Sequence, residues 1–359
     1  MPTEFAQRRR RLASQLAERR LEALLVCSAP NIRYLSGFTG SNALLVVTGD
    51  TAQLFTDPRY RLQARSESDC GVTVARGPLL VAAARWIRRH RLRRVGFDPA
   101  HLPYSLFEQL DKELPERTRL TPAPGLVEGL RLVKSAEELA RIRRSVETNS
   151  RAFAATLSLI RPGLRECELA AELEYQARKL GAERPAFDTI VASGPRSAHP
   201  HARPTANCLE RNHLLLIDMG AVQDGYTSDM TRTLYLGRPG QRVRDVYRAV
   251  LEAQEAAIGA VRPGATAEGV DRAARLCLRK AGLARAFVHS TGHGLGLEVH
   301  EKPRLGKGDS TRLEAGMALT IEPGVYFEEF GGIRIEDTVV VTPHGCEVLT
   351  PTPKELIVI

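Results

Sequence analysis

The 359-residue chain is poor in cysteine, in tryptophan and in long apolar runs. Its six cysteines (Cys27, Cys70, Cys167, Cys208, Cys277 and Cys346) lie far apart with no CxxC pair, which excludes a disulfide-stapled scaffold and fits reduced thiols. No apolar stretch approaches the roughly 18 residues that a membrane span requires, and the opening MPTEFAQRRRRLASQL is too polar for a signal peptide. A cytoplasmic protein with no membrane partner is expected. Lysine is also scarce, at 7 of the 51 basic residues, so arginine spread along the chain carries the net charge of +9. A nucleic-acid binder needs one basic face that displaces counterions. Arg8 to Arg11 sit in a helix-like pattern, and Arg85 to Arg94 hold a single aromatic, Trp86. Both read as solvated surface, and no nucleic-acid partner is expected.

The length suits about two domains. Up to residue 125, apolar runs such as 23–27, 43–47 and 93–97 alternate with helix-like stretches, an α/β signature. Pro122, Pro124, Gly125 and Gly129 then interrupt the pattern, and Ser135 with Glu138 matches a helix capping box. The boundary falls near residue 130, giving domains 1–130 and 131–359. The second contains a repeat at an offset of 101: Ile160-Arg-Pro-Gly163 returns as Val261-Arg-Pro-Gly264, and Arg178-Lys-x-Gly181 as Arg279-Lys-x-Gly282. The expected fold is therefore an α/β N-terminal domain followed by an α+β domain with internal pseudo-twofold duplication.

Four carboxylates stand in apolar strand contexts. Leu214-Leu-Leu-Ile-Asp218-Met-Gly and Tyr226-Thr-Ser-Asp229-Met-Thr-Arg flank a turn at Gln223-Asp-Gly225, a hairpin signal. A turn centred on 223/224 puts Asp218 opposite Asp229. One centred on 224/225 puts Asp218 opposite Thr231, with Asp229 its diagonal neighbour; both place the carboxylates on one face. The arrangement recurs in Ala318-Leu-Thr-Ile-Glu322-Pro-Gly and Gly332-Ile-Arg334-Ile-Glu336-Asp337. Buried like charges repel unless a cation or shared proton intervenes. His293, in Ser290-Thr-Gly-His-Gly-Leu-Gly296, offers an imidazole among glycines. Oxygen-rich ligation with one imidazole suits two divalent ions such as manganese, cobalt or zinc, a hydrolytic centre.

The order Asp218, Asp229, His293, Glu322, Glu336, within Asp-Met-Gly, Ser-Asp-Met-Thr-Arg, Gly-His-Gly-Leu-Gly and Glu-Pro-Gly, resembles the pita-bread metallopeptidases. That group includes Xaa-Pro aminopeptidases, prolidases and methionine aminopeptidases. The resemblance implies that the five residues hold two metal ions, most often manganese. It implies that residues 131–359 form the pita-bread catalytic domain and residues 1–130 a creatinase/prolidase-like domain. By the same resemblance His201 faces the substrate, His300 stabilises the tetrahedral intermediate, His289 lines the pocket and Tyr326 lies near the metals. Glu322 would also relay a proton. Arg334, two residues before Glu336, projects from the same strand face and can pair with a ligand carboxylate. The Arg-Ile-Glu-Asp pattern resembles the proline-specific branch, whose substrates are proline-containing peptides and whose members often work as homodimers.

Phe38-Thr-Gly-Ser41, Thr56-Asp-Pro-Arg-Tyr60 and Phe187-Asp-Thr-Ile-Val-Ala-Ser-Gly194 resemble small Xaa-Pro aminopeptidases. The expected activity is therefore release of the N-terminal residue from Xaa-Pro peptides, with Xaa-Pro dipeptidase (prolidase) as the alternative. A metal-free peptide- or nucleic-acid-binding module on the same fold would have lost the ligands, and all five are present.

Overall fold

The computed structural model describes residues 3–359, in two compact units that meet in sequence at Arg131 and Leu132. The first unit is built on a six-stranded mixed sheet. Its spatial order is Gly71–Val74, Ala52–Thr56, Ala43–Thr48, Ala23–Val26, Arg94–Phe97, Arg119–Pro122. The short apolar runs are its inner strands because helices cover them on the faces. Helix Leu79–Arg89 shows why the basic run is surface. Leu80, Ala83, Ala84 and Ile87 recur at helical spacing and are buried, while Arg85, Arg88 and Arg89 point outward. Arg8 departs from that expectation. It is buried, pairs with Glu4 Oε1 at 2.7 Å, donates to the Tyr34 carbonyl at 3.0 Å and lies over the Tyr34 ring at 4.1 Å, so a carboxylate, a carbonyl and a cation–π contact replace its water.

The second unit repeats one motif twice. Helices Ala136–Thr156 and Glu166–Lys179 precede a hairpin spanning 213–236, and helices Gln241–Ala260 and Ala267–Lys280 precede a hairpin spanning 318–342. The two Arg-Pro-Gly elements join the helices of each pair, with Gly163 and Gly264 at φ +87° and +83°, a conformation that favours glycine. Ser135 and Glu138 form the reciprocal capping box. Each helix pair packs a continuous apolar face on its own hairpin: Leu169 and Leu173 with Leu215 and Ile217 in one half, Val270 and Ala274 with Leu319 and Ile321 in the other. The opposite hairpin faces carry the carboxylates.

Candidate metal centre and substrate cleft

The first hairpin pairs Thr231 with Asp218 and Met230 with Met219, and beyond a break pairs Val222 with Thr227 and Gln223 with Tyr226. Asp224 and Gly225, at φ +50° and +78°, form the turn. The register centred on 224/225 therefore holds, and Asp229 is the diagonal neighbour of Asp218. The break lies at Gly220, where a Cβ would come within 2.3 Å of the Ser228 carbonyl. The second hairpin is broken likewise. Ile321 pairs with Asp337 and Gly324 with Arg334, so Glu322 and Glu336 face each other between the two ladders. Thr231 joins the hairpins: its hydroxyl donates to Glu336 Oε2 at 2.7 Å and its carbonyl accepts from the Glu336 amide at 3.1 Å.

His293 enters from the strand Gly292–Gly294. Its glycine flanks are a close-approach requirement, since a Cβ at Gly292 would lie 1.9 Å from the Thr320 carbonyl and one at Gly294 2.2 Å from the Lys302 carbonyl. The Gly294 carbonyl, 3.0 Å from Nδ1, takes that proton and leaves Nε2 facing Asp229 Oδ2 at 3.6 Å and Glu322 Oε1 at 3.5 Å. Asp229, His293 and Glu336 each offer a donor atom within 4.8 Å of the others.

Burial first, then the neighbouring carboxylates, push Asp229 and Glu336 well above the usual carboxylate range. Burial pushes Glu322 up to about 7 against the pull of Arg334, and it lowers His293 to about 4, so its imidazole is neutral at pH 7. Asp218 Oδ1 and Glu336 Oε1 are buried with no hydrogen-bond partner among the described residues. Four clustered carboxylates with two orphaned oxygens and a neutral imidazole fit divalent cations, which would cancel the repulsion and occupy the orphaned lone pairs.

The Arg334 guanidinium opposes these charges. Arg334 donates from Nη2 to Asp218 Oδ2 at 2.6 Å, from Nη1 to the Tyr326 hydroxyl at 2.7 Å and from Nε to the Thr231 hydroxyl at 3.0 Å. It thus pairs with Asp218 on the other hairpin, not with nearby Glu336. The Tyr326 hydroxyl in turn donates to His289 Nε2 at 2.8 Å, because the Ser290 carbonyl takes the Nδ1 proton. Burial, then Arg334, lowers His289 to about 4.

A cleft of about 820 Å³ opens over the carboxylates. His201, His289 and His300 all line it, and the His300 ring lies 4.5 Å from that of His293. Phe187, Ile190 and Ala202 contribute apolar surface, while Arg203, Lys302 and Arg304 add cations. The three cations were missed in the sequence because a lone arginine or lysine outside any motif carries no signal until the fold brings it to a cleft. Phe187 and Ile190 belong to a segment singled out for its resemblance rather than for its place in a wall.

The profile of metallopeptidase family M24 matches residues 140–343, more than half of the chain. The chain belongs to this family. Residues 8–133 match the creatinase/prolidase N-terminal domain. An Xaa-Pro dipeptidase of Pyrococcus horikoshii is 37% identical to this M24 chain, covering 94% of it and 95% of the relative. Among solved structures, an Xaa-Pro dipeptidase from Bacillus anthracis is 36% identical with a TM-score of 0.96, covering 99% and 100% of the two chains. An X-Pro aminopeptidase from Thermotoga maritima is also 36% identical, at a TM-score of 0.90 with 96% and 99% coverage. The chain is a metallopeptidase of the proline-specific pita-bread group, with the two-part α/β and duplicated α+β architecture expected from its sequence. Among the described residues, no helix is long and apolar enough to cross a membrane.

Proposed function

We propose that this M24 chain is an Xaa-Pro dipeptidase that hydrolyses the bond before a C-terminal proline. The Phe38–Ser41, Thr56–Tyr60 and Phe187–Gly194 motifs put the aminopeptidase reading first. The dipeptidase names of its relatives reverse that order, and one observation at the site carries the reversal: Arg203, Lys302 and Arg304 line the same cleft as the clustered carboxylates. A dipeptide brings its own carboxylate one residue beyond the scissile bond, and a fixed cation there binds it while obstructing longer chains. Phe187 and Ile190 give the pyrrolidine ring an apolar wall, and no acceptor is wasted on an imide nitrogen that has no proton.

Asp218, Asp229, His293, Glu322 and Glu336 would hold two divalent cations, manganese foremost, with cobalt or zinc as substitutes. When bound, these supply Lewis acidity toward a carbonyl and acidify water. The chain's own groups do the rest. Glu322, beside His293 at the cleft, takes and returns a proton. His300 donates to the developing oxyanion, and His201 holds the substrate carbonyl from the other wall. Arg334 and Tyr326 keep Asp218 and His289 in fixed orientations. The same reading takes the active form to be a cytoplasmic homodimer, which light scattering and cell fractionation test.

The activity itself is tested by comparing kcat/KM for matched Xaa-Pro dipeptides and Xaa-Pro-Yaa tripeptides with manganese present. Dipeptide preference is expected. Efficient release from tripeptides with poor dipeptide cleavage would restore the aminopeptidase reading, and full activity of a metal-free protein would end both.

A further inference from the structure

We propose that the histidines of the cleft are positioned through their backbones by buried carboxylates, each paired with a cation, and that Glu166 is the positioning residue for His201. Glu166 opens the helix Glu166–Lys179 and is fully buried. Its Oε1 accepts from the Ser193 amide at 2.9 Å, and its Oε2 from the Thr205 amide at 3.0 Å and the Thr205 hydroxyl at 2.7 Å. Arg196 Nε lies 3.2 and 3.1 Å from the two oxygens, and its Nη2 donates to the Arg203 carbonyl at 2.7 Å. One carboxylate therefore grips residue 193, where a strand ends, and residue 205. Those are the two ends of the segment that carries His201 and Arg203. A carboxylate removed from water is costly unless it is fully paired, and here every pairing partner belongs to that segment.

The second half repeats the device. Position 166 corresponds to Ala267 at the repeat offset, and the carboxylate there moves one helical turn along the same face to Asp271. Asp271 Oδ1 accepts from the Thr291 amide at 3.2 Å and hydroxyl at 2.8 Å, while Oδ2 accepts from Arg275 at 2.7 Å. Arg275 then donates to the Phe287 carbonyl at 3.4 Å and the His289 carbonyl at 2.5 Å. His300 has a third example beside it. Glu301 pairs with the buried Lys134 at 3.2 Å and accepts from the Glu298 amide at 3.2 Å. A histidine on an irregular segment needs such an anchor, because a shift of about 1 Å in a substrate-orienting group can cost a hundredfold in rate.

The kinetic arm of the test rests on the reading that His201 meets the substrate; the structural arm does not. Glu166→Gln keeps the side chain's size but loses its charge, and Thr205→Val removes one contact more gently. In the metal-loaded protein, each should speed hydrogen–deuterium exchange across 194–205 while leaving metal content unchanged. Glu166→Gln should lower kcat/KM for an Xaa-Pro dipeptide about tenfold. In a His201→Ala background the same change should cost less than about twofold, since a positioning residue has nothing left to position. An equal fold-loss in both backgrounds overturns the proposal, as does unchanged exchange in both variants. Should Glu166→Gln fail to fold, Thr205→Val carries the same cycle at a smaller amplitude. If the wild-type chain cleaves no Xaa-Pro peptide, the functional reading falls and the exchange arm alone decides the positioning.

Discussion

Replacing Arg334 by Met should destabilise the metal-free protein far more than the metal-loaded one. One guanidinium stands against Asp218, Asp229, Glu322 and Glu336, and it is itself buried with a 2.6 Å pair to Asp218. Breaking a buried pair by removing one partner costs about 3–5 kcal/mol, because the remaining charge is left uncompensated. The metal-free chain should bear that full penalty. Two divalent cations bring more positive charge than Arg334 does, so with metal bound the residual loss reduces to the bonds to Tyr326 and Thr231, about 1 kcal/mol each. The stabilisation gained on adding manganese should therefore be larger in the variant than in the wild type by about 1–3 kcal/mol. Thermal melts followed by far-UV circular dichroism, with chelator and with manganese, measure both states. Tryptophan fluorescence is the wrong probe, because Trp86 is the single tryptophan and lies in the N-terminal unit. Arg334→Lys should recover part of the metal-free loss, keeping the charge without the fork. An equal penalty with and without metal would refute the reasoning and make Arg334 a packing anchor.

Asp229, Glu322 and Glu336 bind protons more tightly in the folded chain than in the unfolded one. The contribution of these three groups to the stability of the metal-free protein should thus be greatest where they are protonated. For Glu322 it should fall as pH rises from the usual value of 4.5 through about 7, a trend that manganese abolishes and that melts at stepped pH will show. Asp229→Asn and His293→Ala should lose metal by elemental analysis together with rate. His300→Ala should keep its metal and lose about 10²–10³ in kcat, the usual cost of one oxyanion donor. Arg304→Met should raise KM for Xaa-Pro dipeptides by about tenfold or more with little change in kcat, if it pairs with the substrate carboxylate. Initial rates against dipeptide concentration decide that.

What was legible in the sequence was whatever repeats or alternates. Two carboxylates a strand apart, an Asp-Gly turn and a twice-used Arg-Pro-Gly connection define hairpins and their shared face, because side-chain direction in a strand has a period of two. The choice between registers was not legible. It depended on which residues adopt positive φ, and Asp224 does so although it is not glycine. Arg334 was readable as a partner for a ligand carboxylate, but its choice of Asp218 over Glu336 arises from how the two hairpins cross, which no local pattern encodes. Glu166, Asp271 and Lys134 carried no signal at all. A buried carboxylate and a solvated one look alike in sequence until their long-range partners are known.

The broken hairpins have a consequence for how such a chain can change over generations. Asp218 and Glu336 each hold a buried oxygen that no group in the described residues satisfies, so the architecture retains an unmet demand that an outside cation or a proton must meet. Exchanging Glu336, or its neighbours Asp229 and Glu322, for amides should relieve the repulsion and make the metal-free chain sturdier while ending hydrolysis, whereas Asp218 must stay as the buried partner of Arg334. A lineage that no longer needed the activity would thus drift without losing its fold. Selection for heat tolerance under chelation should find those exchanges early, leaving the cleft and its histidines as a scaffold that binds and no longer cuts.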